Sequence, residues 1–194
     1  MGEVVILIPA GGAARRMGGR DKLLEPVDGT PVLARLAAAA RATGCRVLVT
    51  LRPGDTARAA VLDGVELVGV ADAAEGMAAS LRAGIGMAGR AAGLMVLPGD
   101  MPELEADDLR AVLAAFTADP DRVIRAVDID GQAGHPVVLP RRLFDSVAGL
   151  RGDQGARAAI AGEAVHSVPL PGHRATCDLD TPGAWADWRA RTGR

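Results

Sequence analysis

The sequence is poor in the side chains that stack on nucleic-acid bases. Among its 194 residues there are two Phe, two Trp and no Tyr, and the net charge of −2 provides no positive field that would recruit a polyanion. Nucleic acid is therefore excluded as a partner, because its binders combine basic grooves with aromatic platforms. No apolar run approaches the ~20 residues of a membrane helix, and no secretory pattern precedes the first one. We expect a cytoplasmic protein with no membrane partner.

Cysteine and lysine are also scarce. Cys45 and Cys177 stand far apart and match no metal-binding spacing, which indicates two reduced, partly buried thiols. Of the 22 residues that are Lys or Arg, only Lys22 is a lysine. Because arginine supplies every other positive charge, the single lysine indicates either a requirement for a compact ammonium group at position 22 or chance.

What the sequence does contain is a regular alternation of strand-like and helix-like segments. Apolar, β-branched runs predict strands at 3–9, 46–51, 65–70, 93–100 and 122–129. The segments between them predict helices at 31–44, 55–64, 76–88 and 105–118. Such units predict an α/β fold with a parallel sheet covered by helices on both faces.

The pattern changes in the last third of the chain. A turn followed by a strand that runs antiparallel to the rest is predicted within 130–140, with short helices near 141–148 and 154–161. A last strand at 164–170 and a helix at 181–192 complete the prediction. There is no internal repeat or linker, so we expect residues 1–194 to form one domain.

A glycine-rich basic loop, PAGGAARRMGGRDKLLEP at 9–26, follows the first predicted strand, at the edge where open α/β sheets bind ligands. Gly11 and Gly12 permit close approach of a ligand to backbone N–H groups. Arg16 can hold a phosphate with two donors, and Lys22 adds a point charge. The spacing matches neither a Walker A loop nor a dinucleotide fingerprint. The loop is either a phosphate site, which its position favours, or a solvated basic loop.

Acidic residues follow two later segments of the chain. In LPGDMP, Asp100 lies at the end of the fourth predicted strand, where it either forms a turn or holds the Mg²⁺ that a triphosphate requires. In CDLDTP, Asp178 and Asp180 point the same way if the segment is extended. The alternative is that this segment only caps the last helix, with Pro182 in its first turn.

The loop AGGAARRMGGRDKLL resembles the signature loop of nucleotidyltransferases, [L/P]-A-[A/G]-G-x-x-x-R-M-G-x-x-K. The matching positions are Gly11, Gly12, Arg16, Met17, Gly18 and Lys22. The resemblance implies that residues 10–12, beginning with Ala10, contact the base and phosphates, and that Arg16 and Lys22 neutralise the triphosphate. It also implies Asp100 as a metal ligand, with Asp178 preferred to Asp180 as a second.

Further motifs resemble molybdenum cofactor cytidylyltransferases, the MocA-like branch of the MobA-like nucleotidyltransferases. They are GMAASL (76–81), GHPV (134–137), GDQGAR (152–157) and DLDTP (178–182). The resemblance implies a three-layer α/β/α, Rossmann-like fold, with Met77 and Ser80 at the nucleobase and with His135, Asp153 and Arg157 facing the acceptor. His135, between Gly134 and Pro136, is expected in an exposed turn, and Met77 on the apolar face of its helix.

The implied reaction transfers CMP from CTP to the phosphate of molybdopterin with Mg²⁺ and releases pyrophosphate; a molybdoenzyme client is a further partner. One position departs from this pattern, since cytidylyl-transferring members usually read A-A-G where this chain has Ala10-Gly11-Gly12. Guanylyl-transferring relatives read A-G-G, so GTP remains an alternative. Transfer to another small phosphate acceptor and a non-catalytic maturation chaperone that binds nucleotide or cofactor are further alternatives.

Overall fold

A computed structural model of the chain describes residues 2–12, 17 and 19–194. The strands are β1 (Val4–Pro9), β2 (Pro26–Val27), β3 (Thr30–Pro31), β4 (Arg46–Leu51), β5 (Glu66–Gly69), β6 (Gly93–Val96), β7 (Val123–Val127), β8 (Ala133–Pro140) and β9 (Val165–Pro169). The α-helices are α1 (Val32–Arg41), α2 (Thr56–Ala60), α3 (Met77–Ala88), α4 (Ala106–Ala118), α5 (Phe144–Ala148), α6 (Ala156–Ala159) and α7 (Pro182–Thr192). Short 3₁₀ turns occupy Lys22–Leu24, Ala73–Glu75 and Arg141–Leu143.

Seven strands form one mixed sheet in the order β5-β4-β1-β6-β8-β7-β9. Only β8 among these runs against its neighbours β6 and β7, which confirms the antiparallel strand predicted within 130–140. The order reverses at β1, because the chain first builds β4 and β5 on one side of it and then crosses to β6 on the other. A crevice therefore opens beyond the carboxyl ends of β1 and β6, the place where such sheets bind ligands.

Helices cover both faces of the sheet, which confirms the three-layer α/β/α prediction. Leu36 of α1 and Phe116 of α4 lie in the core on one face, and Leu81 of α3 and Val147 of α5 lie in the core on the other. The continuous apolar run of β1 follows from this arrangement, since its successive side chains enter opposite cores. In the described part of the chain, no helix combines the length and apolar character needed to cross a membrane.

The hairpin β2–β3, which the sequence pattern did not predict, supports the C-terminal helix. Its Val27 is buried with Trp185 and Trp188 of α7, whose rings meet edge to face at 5.8 Å. The Trp185 indole N–H donates to the carbonyl oxygen of Leu179 at 3.2 Å. Thr181 caps α7 at its N-terminus. This packing holds residues 177–181 at the carboxyl edge of the sheet.

Candidate active site

A cleft of about 630 Å³ lies at the crevice between β1 and β6. Its walls include ten of the residues predicted for the site: Ala10, Gly11, Gly12, Lys22, Met77, Ser80, Asp100, His135, Asp153 and Asp178. Asp180, the alternative to Asp178, also lines the cleft. Arg157 does not line it and is exposed on α6, and Arg16 lies outside the described residues. Segments far apart in the sequence therefore meet at one position.

Hydrogen bonds hold the backbone of the first residues of the glycine loop, directly after β1. The N–H of Ala10 donates to the carbonyl oxygen of Thr50 on β4 at 3.0 Å. The buried guanidinium of Arg58 donates to the carbonyl oxygens of Ala10 and Gly12, the latter at 2.9 Å. Arg58 comes from α2, a segment to which the sequence pattern assigned no function.

Lys22 lies between two carboxylates. Its ammonium group donates to Asp100 at 2.5 Å and also to Asp180. Burial disfavours the charged ammonium, but the charges and hydrogen bonds of the two carboxylates outweigh it, so the pKa of Lys22 is raised above its ordinary value. Lys22 therefore stays protonated at neutral pH.

Asp178 completes an acidic wall with Asp100 and Asp180. The N–H of Leu179 donates to the carbonyl oxygen of Asp100 at 3.4 Å, which joins the turn after β6 to the segment before α7. Loss of solvation in the cleft and repulsion from Asp100 and then Asp180 raise the pKa of Asp178. Carboxylate oxygens are the ligand atoms that Mg²⁺ prefers. The carboxylates of Asp100 and Asp180 already bind one cation, the ammonium group of Lys22, so the position favours positive charge. The residues fit a divalent metal ion.

The start of α3 and the turn before it form the wall of the cleft opposite the acidic wall. Ser80 is buried, whereas Met77 has 36% of its surface exposed and faces the cleft, so its predicted place in the apolar core is wrong. A Cβ atom at Gly11 would lie 3.4 Å from the Cβ of Ala73 and 3.6 Å from the Oγ of Ser80. A methyl group at position 11 would therefore fill the space between the glycine loop and this wall.

The loop that carries Asp153 is attached to the same wall. The N–H of Gly152 donates to the Glu75 carboxylate at 3.0 Å, and the N–H of Ala78 donates to the carbonyl oxygen of Gly152 at 3.1 Å. Arg82 donates to both oxygens of Glu75 and to the carbonyl oxygen of Leu150. The segment predicted to face the nucleobase and the segment predicted to face the acceptor thus form one bonded unit.

His135 is not in an exposed turn, and that expectation is wrong. It lies within β8, where its N–H donates to the carbonyl oxygen of Ala175 at 2.7 Å, so pairing with a distant segment continues the strand through Gly134 and Pro136. Its Nδ1 is buried with no hydrogen-bond partner among the described residues. Burial and the nearby charge of Arg125 lower the pKa of His135 despite Asp100, so the imidazole facing the cleft is neutral at pH 7.

A second acidic group contains Asp128, Asp130 and His173 and has the spacing of a metal site. The Asp128 carboxylate, however, accepts hydrogen bonds from the backbone of Asp130 and Gln132 and from the hydroxyl of Thr176. One of its oxygens closes the turn between β7 and β8 and the other holds Thr176, so both are already bonded within the protein.

A glycine turn opposite a wall of carboxylates, at the switch point of a mainly parallel sheet, suits an enzyme that handles nucleoside triphosphates and their metal ion. The chain is a nucleotidyltransferase. Residues 6–168 match the model of the MobA-like NTP transferase domain, and the chain belongs to that family.

Relatives with similar sequences and structures agree with this assignment. The molybdenum cofactor guanylyltransferase of Pseudomonas aeruginosa is 30% identical over 95% of this chain and 93% of its own length. The crystal structure of Rv0371c from Mycobacterium tuberculosis H37Rv is 29% identical, with a TM-score of 0.83 over 100% of this chain and 98% of that one. A manganese complex of the same mycobacterial protein has a TM-score of 0.78 at 28% identity, over 95% of this chain and 97% of that one.

Proposed function

We propose that this chain transfers GMP from GTP to the phosphate group of molybdopterin, with a divalent metal ion, and releases pyrophosphate. The observation that carries the choice of GTP is Gly11, which leaves open the space beside Ala73 and Ser80 that a methyl group would fill. A wider gap between the glycine loop and the wall that contains Ala73 and Ser80 suits a purine base. The guanylyltransferase names of the relatives point the same way, so GTP is favoured over the CTP expected from the later motifs.

The proposed chemistry depends on positioning and on neutralising charge, because the phosphate nucleophile is already ionised at neutral pH. The acceptor phosphate attacks the α-phosphorus of the nucleotide, a new P–O bond forms, and the bond to the pyrophosphate oxygen breaks. Lys22, with Arg16, neutralises the triphosphate as negative charge moves to the leaving group. The N–H groups of residues 10–12 hold the nucleotide.

Asp100 and Asp178, with Asp180 beside them, would hold Mg²⁺. When bound, the ion supplies Lewis-acid stabilisation of phosphate oxygens. The mycobacterial relative solved with manganese supports a divalent ion in this family. On the acceptor side, Asp153 and the neutral His135 would orient molybdopterin, and Arg157, exposed on α6 beyond the cleft, would act only on a part of the acceptor that extends past it.

We also propose that residues 1–194 are a single MobA-like domain. The family match ends at residue 168, yet Asp178 and Asp180 beyond it line the same cleft as Lys22. The C-terminal segment is thus expected to belong to the catalytic unit.

Thermal unfolding with GTP, CTP, ATP and UTP, each with and without Mg²⁺, tests the nucleotide. A ligand at about 100 times its Kd adds about 2.7 kcal/mol to the free energy of unfolding, which for this size is a Tm increase of roughly 5–11 °C. We expect a Mg²⁺-dependent increase with GTP. An increase confined to CTP would support cytidylyl transfer instead.

Pyrophosphate release tests the acceptor. GTP with molybdopterin should release pyrophosphate in proportion to the GMP-linked product, while GTP alone or with a sugar phosphate should not. Nucleotide binding without pyrophosphate release in the presence of molybdopterin would contradict the proposal and favour a binding role.

A further inference from the structure

Arg58 has 1% of its surface exposed, the lowest value among the buried charged side chains of the described residues. A guanidinium group removed from water must have its charge balanced and its donors bonded. Its partners therefore show what this residue does. The side-chain hydrogen bonds go to Ala10, Gly12 and Asp21 of the glycine loop, and Asp55, which caps α2, is a further ion-pair partner at 3.7 Å.

The guanidinium of Arg58 bridges the two ends of the glycine loop. At the end of the loop, Nε and Nη2 donate to the two carboxylate oxygens of Asp21 at 2.7 and 2.9 Å. At the beginning, Nη1 donates to the carbonyl oxygens of Ala10 and Gly12. Asp21 also accepts from the N–H of Leu23 at 3.0 Å and so starts the 3₁₀ turn that carries Lys22.

These bonds determine which backbone groups a ligand can reach. In a trans peptide the C=O and N–H point in opposite directions. Since Arg58 holds the carbonyl oxygen of Ala10, the N–H of Gly11 is directed away from the guanidinium. The planar fork of arginine holds a carboxylate with two donors and a carbonyl with a third in a fixed geometry, which the compact ammonium group of lysine does not reproduce.

We infer that Arg58 is a positioning residue for nucleotide binding: it holds the described ends of the glycine loop, residues 10–12 and the turn that carries Lys22, in the arrangement that accepts the triphosphate. This inference rests on the proposed function. Arg58 makes no step of the reaction. Its loss should therefore weaken nucleotide affinity and raise the KM for nucleotide, while the KM for the acceptor stays unchanged.

The test compares Arg58→Lys with a matched control, Arg174→Lys. Arg174 also donates to both oxygens of a buried carboxylate, Asp108, at 3.1 and 3.3 Å, but neither residue lines the cleft. The full chain carrying each substitution is titrated with GTP and Mg²⁺ by calorimetry, its Tm is recorded, and KM is measured for GTP and for molybdopterin.

We expect Arg58→Lys to weaken GTP binding about tenfold or more, because the two ends of the loop lose the fixed geometry that the guanidinium gives them, and small misplacements of positioning groups have large effects. Arg174→Lys should lose thermal stability without changing the Kd for GTP. If Arg58→Lys does not fold, Asp21→Asn, which keeps an oxygen acceptor for Leu23, should weaken GTP binding in the same direction.

Three outcomes would overturn the inference. Arg58→Lys with wild-type Kd and KM for GTP would do so while leaving the proposed function intact. An equal loss of affinity in Arg174→Lys at equal loss of Tm would show a general effect of stability. A wild-type chain that binds no nucleoside triphosphate would overturn the proposed function as well.

Discussion

At the scale of single residues, Lys22 connects the glycine loop to the acidic wall, and its substitution is the most direct test of the reaction. Lys22→Ala and Asp100→Ala should each lower turnover a hundredfold or more, on the order of 3 kcal/mol of transition-state stabilisation. The assay is pyrophosphate release at saturating GTP and molybdopterin. Arg122→Ala, which removes an exposed cation paired with Asp119, is the control that should retain full turnover.

Lys22→Arg tests whether the single lysine of the chain is required. The guanidinium group of the new arginine is planar and larger, and it should not fit between Asp100 and Asp180 as the ammonium group does. We therefore expect Lys22→Arg to have lower turnover than the wild type. Turnover in Lys22→Arg equal to that of the wild type would mean that lysine is retained by chance. Near-normal turnover in Lys22→Ala would remove this residue from the mechanism.

Gly11→Ala tests base selection. The new methyl group would make ordinary van der Waals contacts with Ala73 and Ser80, so the chain should fold normally while the gap narrows. We expect kcat/KM for GTP to fall relative to that for CTP by about tenfold or more, since small volume changes in a pocket are worth ~1–3 kcal/mol. Gly86→Ala, in α3 with open space around it, is the matched control. An unchanged GTP/CTP ratio would contradict the role of position 11.

At the residue scale, the sequence can single out a side chain by its type, but it cannot show the distant contacts that place that side chain in the fold. Lys22 is the single lysine, and it lies in the cleft. Arg58 belongs to the chain's commonest cation, and Asp21 lies 37 positions away, so nothing in its local sequence indicates that it supports the loop. His135 is placed by pairing with Ala175, a contact that a Gly-His-Pro pattern does not reveal.

At the scale of elements, the pair Glu75–Arg82 ties the turn before α3 to the loop at 150–153. Hydrogen bonds from Arg82 and from the backbone of Gly152 lower the pKa of Glu75 to about 2. A carboxyl whose folded-state pKa is depressed stabilises the fold above its unfolded pKa of 4.5, and this contribution is lost as the pH falls toward 2.

Glu75→Gln should therefore have a lower free energy of unfolding than the wild type at pH 6, and the difference should shrink steadily below pH 4.5. Urea unfolding of both proteins between pH 6 and pH 3 measures it. Glu66→Gln, in the exposed pair with Arg46 outside the cleft, is a comparison that should show a pH dependence of the same sign, since the hydrogen bond from Arg46 lowers the pKa of Glu66 as well. A difference between Glu75→Gln and the wild type that does not change with pH would contradict the ion pair.

The existence of a helix or strand is predicted accurately where the apolar pattern extends over many residues. The ends of these elements depend on contacts that the pattern does not show. The predicted helix at 55–64 ends at Ala60 in α2, where the N–H groups of Val61 and Leu62 donate to the carbonyl oxygens of Arg58 and Ala59 and so close the last turn. The hairpin β2–β3 has two residues in each strand, which is too short for any alternation to appear.

At the scale of the whole molecule, both tryptophans lie in α7 and report on the last segment of the fold. If residues 1–194 form one domain, unfolding followed by tryptophan fluorescence and by far-ultraviolet circular dichroism should give coincident transitions in urea. Trp185 and Trp188 have 1% and 2% of their surfaces exposed, so their emission should shift strongly on unfolding. A fluorescence transition at lower urea would mean that α7 opens separately.

The overall topology was predictable because strand–helix alternation leaves few right-handed arrangements, and the switch point then locates the cleft. The assembly of the acidic wall of the cleft was not predictable from the sequence. It requires residues 177–181, near the far end of the chain, to return to the end of β6. That return depends on Trp185 and Val27 packing together, which no local pattern encodes.

The bridge from Lys22 to Asp100 and Asp180 also bears on how ligands would arrive. Lys22 is an internal counterion: it balances the carboxylates of Asp100 and Asp180, and on the proposed function it would have to give up contacts with them for a divalent cation to bind there. The triphosphate provides a new partner for the released ammonium group, so binding of metal and nucleotide should be positively coupled, each raising the affinity for the other by the same factor. Calorimetric titration of Mn²⁺ with and without GTP, corrected for Mn²⁺ bound by free GTP, measures that factor. An equal factor in Lys22→Ala would mean that Lys22 does not contribute to the coupling.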